Sequence, residues 1–489
     1  MAYKYIGKDI YKQLEQVMNR LDETLSINKE LNEIIKNLNK TISELREENK
    51  KLLNEIDRLK NQNNKNSTNS SKPSSTNITT PKKKTGANLY NYRIKTDKKI
   101  GGQLGHTGYN LNKKKVEELI KDKKVEVIEI KHKIKGNSKL DNVVKYKLGI
   151  NIKPYVEKHV FIYNEDVNES LPKEFYTDVT YTNDIKTLSL ELGTYNLISY
   201  DRLSDFFSVI TNNVINISNG TLVNFLYDFN SKSKLTINNL ENNILNNKIN
   251  YTDETTAKFN KKNLFVRNYS NEETVIYKVH KNKGHNPILE DNILPRFCGG
   301  IMGDHDTTLY SYGTERYECN IHIGRYLEEL IQNISEISWP VKMKELLFRM
   351  HNTRKMAIQY GVTKFNKEKI EEYEREYDEI LELAKKENKE IKSSYYKDKA
   401  NKLYRRLKKY KKNHLYFIKD FSVPFDNNLS ESDLRCVKNK TKISGGFRTM
   451  KGAISYVNAL TIIKTSIKRN INPYESITAI FNNKVLFQD

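Results

Sequence analysis

The sequence predicts a multidomain protein with an N-terminal parallel coiled coil, a small β-rich region, a helical region, and an α/β core that an all-helical insertion interrupts. Three patterns support this architecture. Apolar residues repeat in heptads near the N-terminus, apolar and polar residues alternate in several short segments, and about a hundred residues with helical periodicity precede the C-terminal segment. The 489 residues are enough for about two to four domains.

The coiled coil is predicted for residues 9–60. Apolar positions recur with alternating steps of three and four from Leu14 to Leu59, with Ile frequent at one core position and Leu at the other. This combination favours a parallel two-stranded coil, in which Asn28 and Asn49 on the seam would fix register and strand number. A homodimer or higher oligomer is therefore expected. The alternative is an amphipathic helix that packs on its own globular domain.

Three regions follow the coiled coil. Residues 61–113 are predicted to form a flexible Asn/Ser/Thr-rich linker and a basic arm with glycines, in which Lys82, Lys83 and Lys84 are candidates for contact with a phosphate backbone. A solvated loop explains the same lysines equally well. Residues 114–175 alternate apolar and charged positions and predict a small β-rich domain. Residues 176–245 are predicted to be a helical DNA-binding region, because "NISNGT" could form the turn of a helix-turn-helix.

The charge balance indicates a polyanionic partner. The chain has 84 Lys and Arg against 61 Asp and Glu, a net charge of +23, and nucleic acid is the most common partner of such a protein. A basic protein at a membrane surface is the alternative, but no apolar run approaches the roughly 18 residues of a spanning helix. We therefore expect double-stranded DNA and no membrane. Three cysteines without paired spacing favour a reducing cytoplasm.

The α/β core is predicted for residues 246–311 and 421–489, with the helical insertion at 312–420. Three strand patterns form a meander, a short helical stretch follows, and a fourth strand pattern ends in "GDHD". Carboxylates lie where these elements end or where a helix begins: Asp253, Asp304 or Asp306, and Glu431. Mg²⁺ prefers such oxygen ligands, and two ions can activate the attacking oxygen and stabilise the leaving oxygen in phosphoryl transfer. The arrangement matches a ribonuclease-H-like core.

Each acid also has a purely structural explanation. Asp253 could be solvated at a strand end, and Asp304 or Asp306 could begin a turn. Glu431 lies in "NLSE", where Asn428 as the N-cap and a glutamate three residues later are typical of a capping box.

Several short motifs occur along the chain in a specific order. They are "NSSKPSS", "KKIGGQLGHTG", "DET" at 253–255, "GDH" at 303–305, "ECNIHIGRYLEEL", and "FDNNLSESDLR" followed by "GGFRT". In this order they resemble the DDE transposases of the insertion sequence sixty-six family over most of the chain. The resemblance implies that Asp253, Asp304 and Glu431 are a catalytic triad that binds two ions, Mg²⁺ or Mn²⁺.

The resemblance also implies partners and a location. The enzyme would bind terminal inverted repeats, cleave a DNA strand and transfer it to target DNA, in a bacterial cytoplasm in association with the nucleoid. Accessory element proteins are potential partners. Asp304 is preferred over Asp306, because "GDH" matches the family motif better and comes directly off the strand. Family members commonly carry a zinc-binding segment with paired cysteines, but residues 110–175 contain no cysteine, so no zinc is expected there.

Basic residues near the triad are candidates for DNA contact. Lys438 lies seven residues after Glu431, two helical turns along the same face, a spacing at which many DDE enzymes have a cation. Arg435 is a second candidate, although it could instead pair with Glu431. Arg405 and Arg406 belong to a basic helix that would add backbone affinity or simply form a solvated face.

Two further interpretations remain open. One is a catalytically inactive or domesticated DNA-binding protein, and the other is a ribonuclease-H-like nuclease without strand transfer. Metal-dependent joining of labelled end DNA distinguishes both from a transposase. Cys319 and His322 have a spacing seen in zinc sites, but the sequence contains no second pair, and we expect them to be packed helix residues.

Overall fold

A computed structural model of the chain describes residues 2–70, 72, 112–130, 144–148, 152–161, 175–259 and 262–488. The chain forms two compact units. Unit one combines Met1–Arg93 with Tyr317–Asp426, and unit two combines Ile94–Arg316 with Asn427–Asp489. The predicted basic arm with Lys82, Lys83 and Lys84 lies outside the described residues.

The elements are numbered in chain order. The helices are α1 (Ala2–Asn64), α2 (Lys113–Lys121), α3 (Asn183–Thr194), α4 (Tyr200–Ile210), α5 (Asn219–Lys232), α6 (Lys234–Leu245), α7 (His285–Asp291), α8 (Asn320–Asn333), α9 (Trp339–Gln359), α10 (Lys367–Glu390), α11 (Ser394–Lys409), α12 (Lys411–Lys419), α13 (Asn428–Ser444), α14 (Met450–Lys468) and α15 (Pro473–Phe481). The strands are β1 (Ile249–Phe259), β2 (Lys262–Ser270), β3 (Val275–His280), β4 (Gly300–Gly303) and β5 (Glu315–Glu318).

The strands form a mixed five-stranded sheet in the order β3-β2-β1-β4-β5. β1, β2 and β3 are an antiparallel meander, and β4 runs parallel to β1. The predicted meander and fourth strand are therefore confirmed. The buried runs 264–270 of β2 and 275–277 of β3 explain this outcome, since nine of these ten residues are buried and six carry β-branched or aromatic side chains.

Helices cover the sheet of unit two. α13 packs on β1 and α14 packs on β3. The predicted helical region joins the same core, because Leu226 and Phe229 of α5 lie in one cluster with Leu460 of α14 and residues of the sheet. α5, which begins within "NISNGT" at Asn219, packs against α14 and α15. The expected DNA-binding role of residues 176–245 stays a prediction.

Unit one contains the long N-terminal helix and the predicted helical insertion. α1 is a continuous helix of 63 residues. α8 to α12 make residues 320–419 largely helical, but the insertion predicted at 312–420 is not all-helical, because β5 lies at its start. Residues 422–425, which precede α13, form no β-strand in this described segment. Instead, the Arg354 guanidinium donates hydrogen bonds to the carbonyl oxygens of Phe421 and Val423, at 2.5 and 2.9 Å.

The first residues of the predicted flexible linker are packed. Asn66, Thr68 and Asn69 are almost fully buried. The Asn69 side chain accepts a hydrogen bond from the Asn66 backbone N–H at 2.9 Å and donates one to Gln332 of α8 at 2.7 Å. Residues 61–70 therefore differ from the expectation, because their polar side chains satisfy the local backbone and allow burial without an apolar core.

The β-rich domain expected at 114–175 stays a prediction. Its described parts contain the end of α2 and no β-strand. Among the residues that the structure describes, no helix has the length and apolarity that crossing a membrane requires.

Candidate active site

Asp253 lies inside β1 and not at its end, because the strand continues to Phe259 where the sequence predicted that it stops. Asp304 directly follows β4, as predicted. The register of β1 and β4 pairs Thr252 with Gly303, and the next residue of each segment is an acid. Side chains at matching positions of a parallel pair point to the same face. The close approach requires Gly303, since a Cβ there would lie 2.9 Å from the Thr252 carbonyl oxygen and 3.1 Å from Arg316 Nη2.

Glu431 reaches the same site from α13. The helix packs on β1, and a carboxylate oxygen of Glu431 lies within 4.8 Å of one of Asp304. The capping box that the sequence indicated is absent at this described helix end. The N-cap is Asn427 and not Asn428, and no side chain caps the helix. Glu431 is therefore the fourth helical residue, one position beyond that of a capping box.

The charges of these residues act on one another. The pKa of the Asp253 carboxyl is raised to about 6, chiefly by burial and then by the neighbouring Asp304 and Glu431 carboxylates, while the Glu254 backbone N–H and the Lys438 ammonium oppose the shift. The structure thus brings Asp253, Asp304, Glu431 and Lys438 together. Because the Asp304 and Glu431 carboxylates disfavour the ionised form of Asp253, a cation that neutralises them is bound favourably.

Asp306 has a different environment. Its carboxylate accepts hydrogen bonds from the Thr308 backbone N–H at 3.0 Å and hydroxyl at 2.6 Å, and so begins the 3-10 helix Thr307–Ser311. It also forms an ion pair at 3.4 Å with Arg267, which binds Glu254 at 3.1 Å. Burial would raise the Asp306 pKa, but the bonds from Thr308 and Arg267 lower it overall. These contacts give Asp306 a structural role and leave Asp304 as the better candidate.

One comparison with known proteins bears on this site. The family model described as Transposase IS66 family matches residues 181–455. The chain belongs to the IS66 transposase family. The match covers more than half of the 489 residues and includes Asp253, Asp304 and Glu431. No curated protein matches the chain. The resemblance noted from the motifs is confirmed, and membership supports a transposase function.

The donor set of this IS66 family member fits a divalent cation. DDE transposases usually use divalent metals, and within unit two Asp304 and Glu431 offer oxygen ligands close enough to share an ion. Carboxylate oxygens are ligands that Mg²⁺ and Mn²⁺ prefer. A bound cation would also favour the ionised form of Asp253, whose pKa is raised to about 6 in its absence.

The other predicted residues are distributed between the two units. Arg435 is exposed on α13, like Lys438, and Arg405 is exposed on α11. Arg406 is directed inward, because it forms an ion pair at 2.8 Å with the buried Glu318. This contact argues against DNA contact for Arg406. Cys319 and His322, at the start of α8, are both buried.

Four polar residues beside the acids were missed from the sequence. Arg267 and Asn268 lie in β2, Arg316 lies in β5, and Asn427 precedes α13; all four are at most 5% exposed. Arg316 donates hydrogen bonds to the carbonyl oxygens of Ile301 at 2.8 Å and Asp304 at 2.5 Å. A signal was present for two of them, since "FVRNY" places an arginine and an asparagine inside an otherwise apolar strand.

Proposed function

We propose that this protein is a DNA transposase that cleaves a strand at the ends of an insertion sequence and joins it to target DNA. Asp253, Asp304 and Glu431 would hold two divalent ions, Mg²⁺ or Mn²⁺. The observation that carries the proposal is the convergence of three acids from β1, the end of β4 and α13 in a chain of the IS66 transposase family.

The sheet supports a ribonuclease-H-like core. Such a core has a three-stranded meander, a helix and a fourth strand, with acids on the first and fourth strands and on a later helix. The order β3-β2-β1-β4-β5, with β4 parallel to β1 and α7 between β3 and β4, agrees with it.

The residues of the site have separate tasks. Two divalent ions held by these acids would supply Lewis acidity at the attacking and leaving oxygens. The three carboxylates fix where those ions bind, and the partly buried position of Asp253 limits access of bulk water. The Lys438 ammonium, which acts on Asp253 electrostatically, would hold a phosphate oxygen of the DNA end. Both cleavage and joining are displacements at phosphorus, so no covalent protein intermediate is required.

The exposed seam of α1 supports a dimer. Leu52, Ile56 and Leu59 on the heptad seam are 44–56% exposed. α1 instead contacts α11 through residues off the seam, since Asp57 accepts a hydrogen bond from Ser393 and Asn61 accepts one from Lys399. This contact leaves the apolar seam accessible to a second copy of the chain, as a parallel coiled coil requires.

The test is metal-dependent joining by the purified full-length protein. Labelled DNA carrying the terminal repeats beside the gene is incubated with target DNA and Mg²⁺. Asp253→Ala and Glu431→Ala are expected to abolish joining and retain end binding, and Asp306→Asn is the control that retains joining. Joining by both alanine variants would refute the triad.

The same assay separates the other functions. Cleavage without a joined product would indicate a nuclease, and binding without cleavage would indicate an inactive DNA-binding protein. Joining that appears only after other proteins of the element are added would identify accessory partners.

A further inference from the structure

We infer that Asn268 and Asn427 are positioning residues that hold the helix carrying Glu431 against the strand carrying Asp253. The inference rests on the proposed function, because it concerns the same acidic site. Neither asparagine is assigned to DNA or metal; each acts through the backbone beside an acid.

Asn268 connects the two acid-bearing elements through one buried amide. It lies in β2 directly across from Asp253 and is 0% exposed. Its side-chain oxygen accepts hydrogen bonds from the Asp253 backbone N–H at 3.0 Å and from the Ser430 hydroxyl at 2.7 Å. Its side-chain nitrogen donates to the Ser270 hydroxyl at 2.9 Å and to the Ser430 carbonyl at 3.3 Å. These four bonds use both donors and both acceptor lone pairs of the Asn268 amide.

The orientation of the Asn268 amide follows from its partners. A backbone N–H can only donate and a carbonyl can only accept, so the bonds to Asp253 and Ser430 determine which end of the amide is the oxygen. Ser430 immediately precedes Glu431. One side chain therefore fixes the backbone at the first acid and the backbone next to the third.

Asn427 forms a second anchor between the same elements. An asparagine at the N-cap usually accepts a hydrogen bond from the first helical turn, which stabilises the helix by about 1 kcal/mol. Asn427 makes no such bond. Its amide nitrogen donates to the Thr252 carbonyl at 3.0 Å, and its own carbonyl accepts the Glu431 backbone N–H at 3.1 Å. The loss of the cap is offset by a contact between the start of α13 and the residue before Asp253.

The two asparagines fix the position of α13, which strand pairing cannot fix. The register of β1 and β4 fixes Asp253 relative to Asp304, but a helix that packs on a sheet by side chains alone can shift. Metal ligands must be held within about 0.5 Å of the required geometry. Removing an anchor should therefore weaken divalent-ion binding, and loss of residues that orient ligands typically weakens metal affinity by about 10- to 100-fold.

The test compares Asn268→Ala with Asn250→Ala in the full-length protein. Asn250 is a matched control, because it is also fully buried, lies in β1, and accepts the Ser270 backbone N–H at 3.0 Å within the sheet. Binding of Mn²⁺ alone is followed by the electron paramagnetic resonance of the free ion, and unfolding in EDTA is followed by calorimetry. Asn268→Ala should raise the half-saturating Mn²⁺ concentration about 10-fold or more, whereas Asn250→Ala should lower stability and leave Mn²⁺ binding close to wild type.

Mn²⁺ affinity distinguishes a positioning role from a general loss of stability. Equal Mn²⁺ affinity in the two variants would overturn the positioning role, even if Asn268→Ala lowers stability. Should Asn268→Ala fail to fold, Asn427→Ala gives the same comparison. Failure of the proposed function has a different signature, because wild-type protein would then bind Mn²⁺ no more tightly than Asp253→Ala.

Discussion

Replacing Asp253 by Asn should stabilise the metal-free protein at neutral pH. Most buried substitutions destabilise, so the expected sign is unusual. Asn has the shape of Asp, and its side-chain oxygen can still accept the Glu254 backbone N–H, which lies 2.7 Å from the Asp253 oxygen. What the substitution removes is a negative charge that burial and two neighbouring carboxylates disfavour.

The raised pKa gives the size and the pH dependence of the effect. The Asp253 pKa rises from 3.8 to about 6 in the folded protein, so the native state binds this proton more tightly than the unfolded chain. Stability therefore falls as pH rises from about 4 to 6, and the cost is complete above pH 6. About two pKa units correspond to an upper limit on the order of 3 kcal/mol. At about 2–4 °C per kcal/mol, unit two should melt up to roughly 6–12 °C higher in Asp253→Asn.

The assay is calorimetric unfolding of the full-length protein in EDTA between pH 4 and 8. The difference between Asp253→Asn and wild type should be largest at pH 7–8 and vanish toward pH 4. Asp306→Asn is the matched control two residues from Asp304, and its sign should be opposite, because bonds from Thr308 and Arg267 lower the Asp306 pKa against the effect of burial. A variant Asp253→Asn that is no more stable than wild type at pH 7.5 would refute the electrostatic argument.

Three other predictions follow from single contacts. The double variant Ile35→Asp/Leu38→Asp on the exposed seam of α1 should convert a dimer to a monomer in sedimentation. The control Lys40→Asp, off the seam, should stay dimeric. A double variant that stays dimeric would contradict the coiled coil. Arg406→Ala should destabilise unit one by roughly 3 kcal/mol, because it removes the cation that lies 2.8 Å from the buried Glu318 carboxylate. Arg405→Ala, at an exposed position of the same helix, should leave the melting temperature unchanged. The pKa of His280 is raised above 6.5 in the folded protein, because the bond to Asp291 at 2.8 Å and the charges of Asp291 and Glu290 outweigh the lowering effect of burial. The stabilisation that protonated His280 provides should therefore be lost as the pH rises from 6.5 through this pKa. His280→Asn should flatten the dependence of stability on pH in calorimetry, and an unchanged dependence would contradict this prediction.

Four strands of the sheet were predictable because each is indicated by residues that are adjacent in the sequence. β1 to β4 each contain a short run of strand-forming residues that the sequence reveals, and the acids after the runs in β1 and β4 could be selected by position. The continuation of β1 past Asp253 to Phe259 was missed, because that stretch is mostly polar. β5 was missed because its "ERYE" sequence reads as polar. Arg316 is nevertheless 5% exposed and Glu318 1%, since distant groups satisfy their charges, and no local pattern reveals such partners.

The start of α13 could not be predicted for a related reason. "NLSE" is a valid capping pattern, but the helix begins one residue earlier than that pattern implies. The side chain at its N-cap position, Asn427, bonds to Thr252, which is 175 positions away in the chain. The same limit applies to Arg405 and Arg406. They are adjacent and chemically identical, and only the packing of α11 decides that Arg406 meets Glu318 while Arg405 is exposed.

The three acids of the site are therefore held by two different means. Asp253 and Asp304 follow paired residues of parallel strands, so the backbone ladder determines their separation. Glu431 has no ladder and depends on the side chains of Asn268 and Asn427. A conservative change inside β1 or β4 should then be tolerated unless it affects the Gly303 contact. A single change at either asparagine should alter the site without touching an acid.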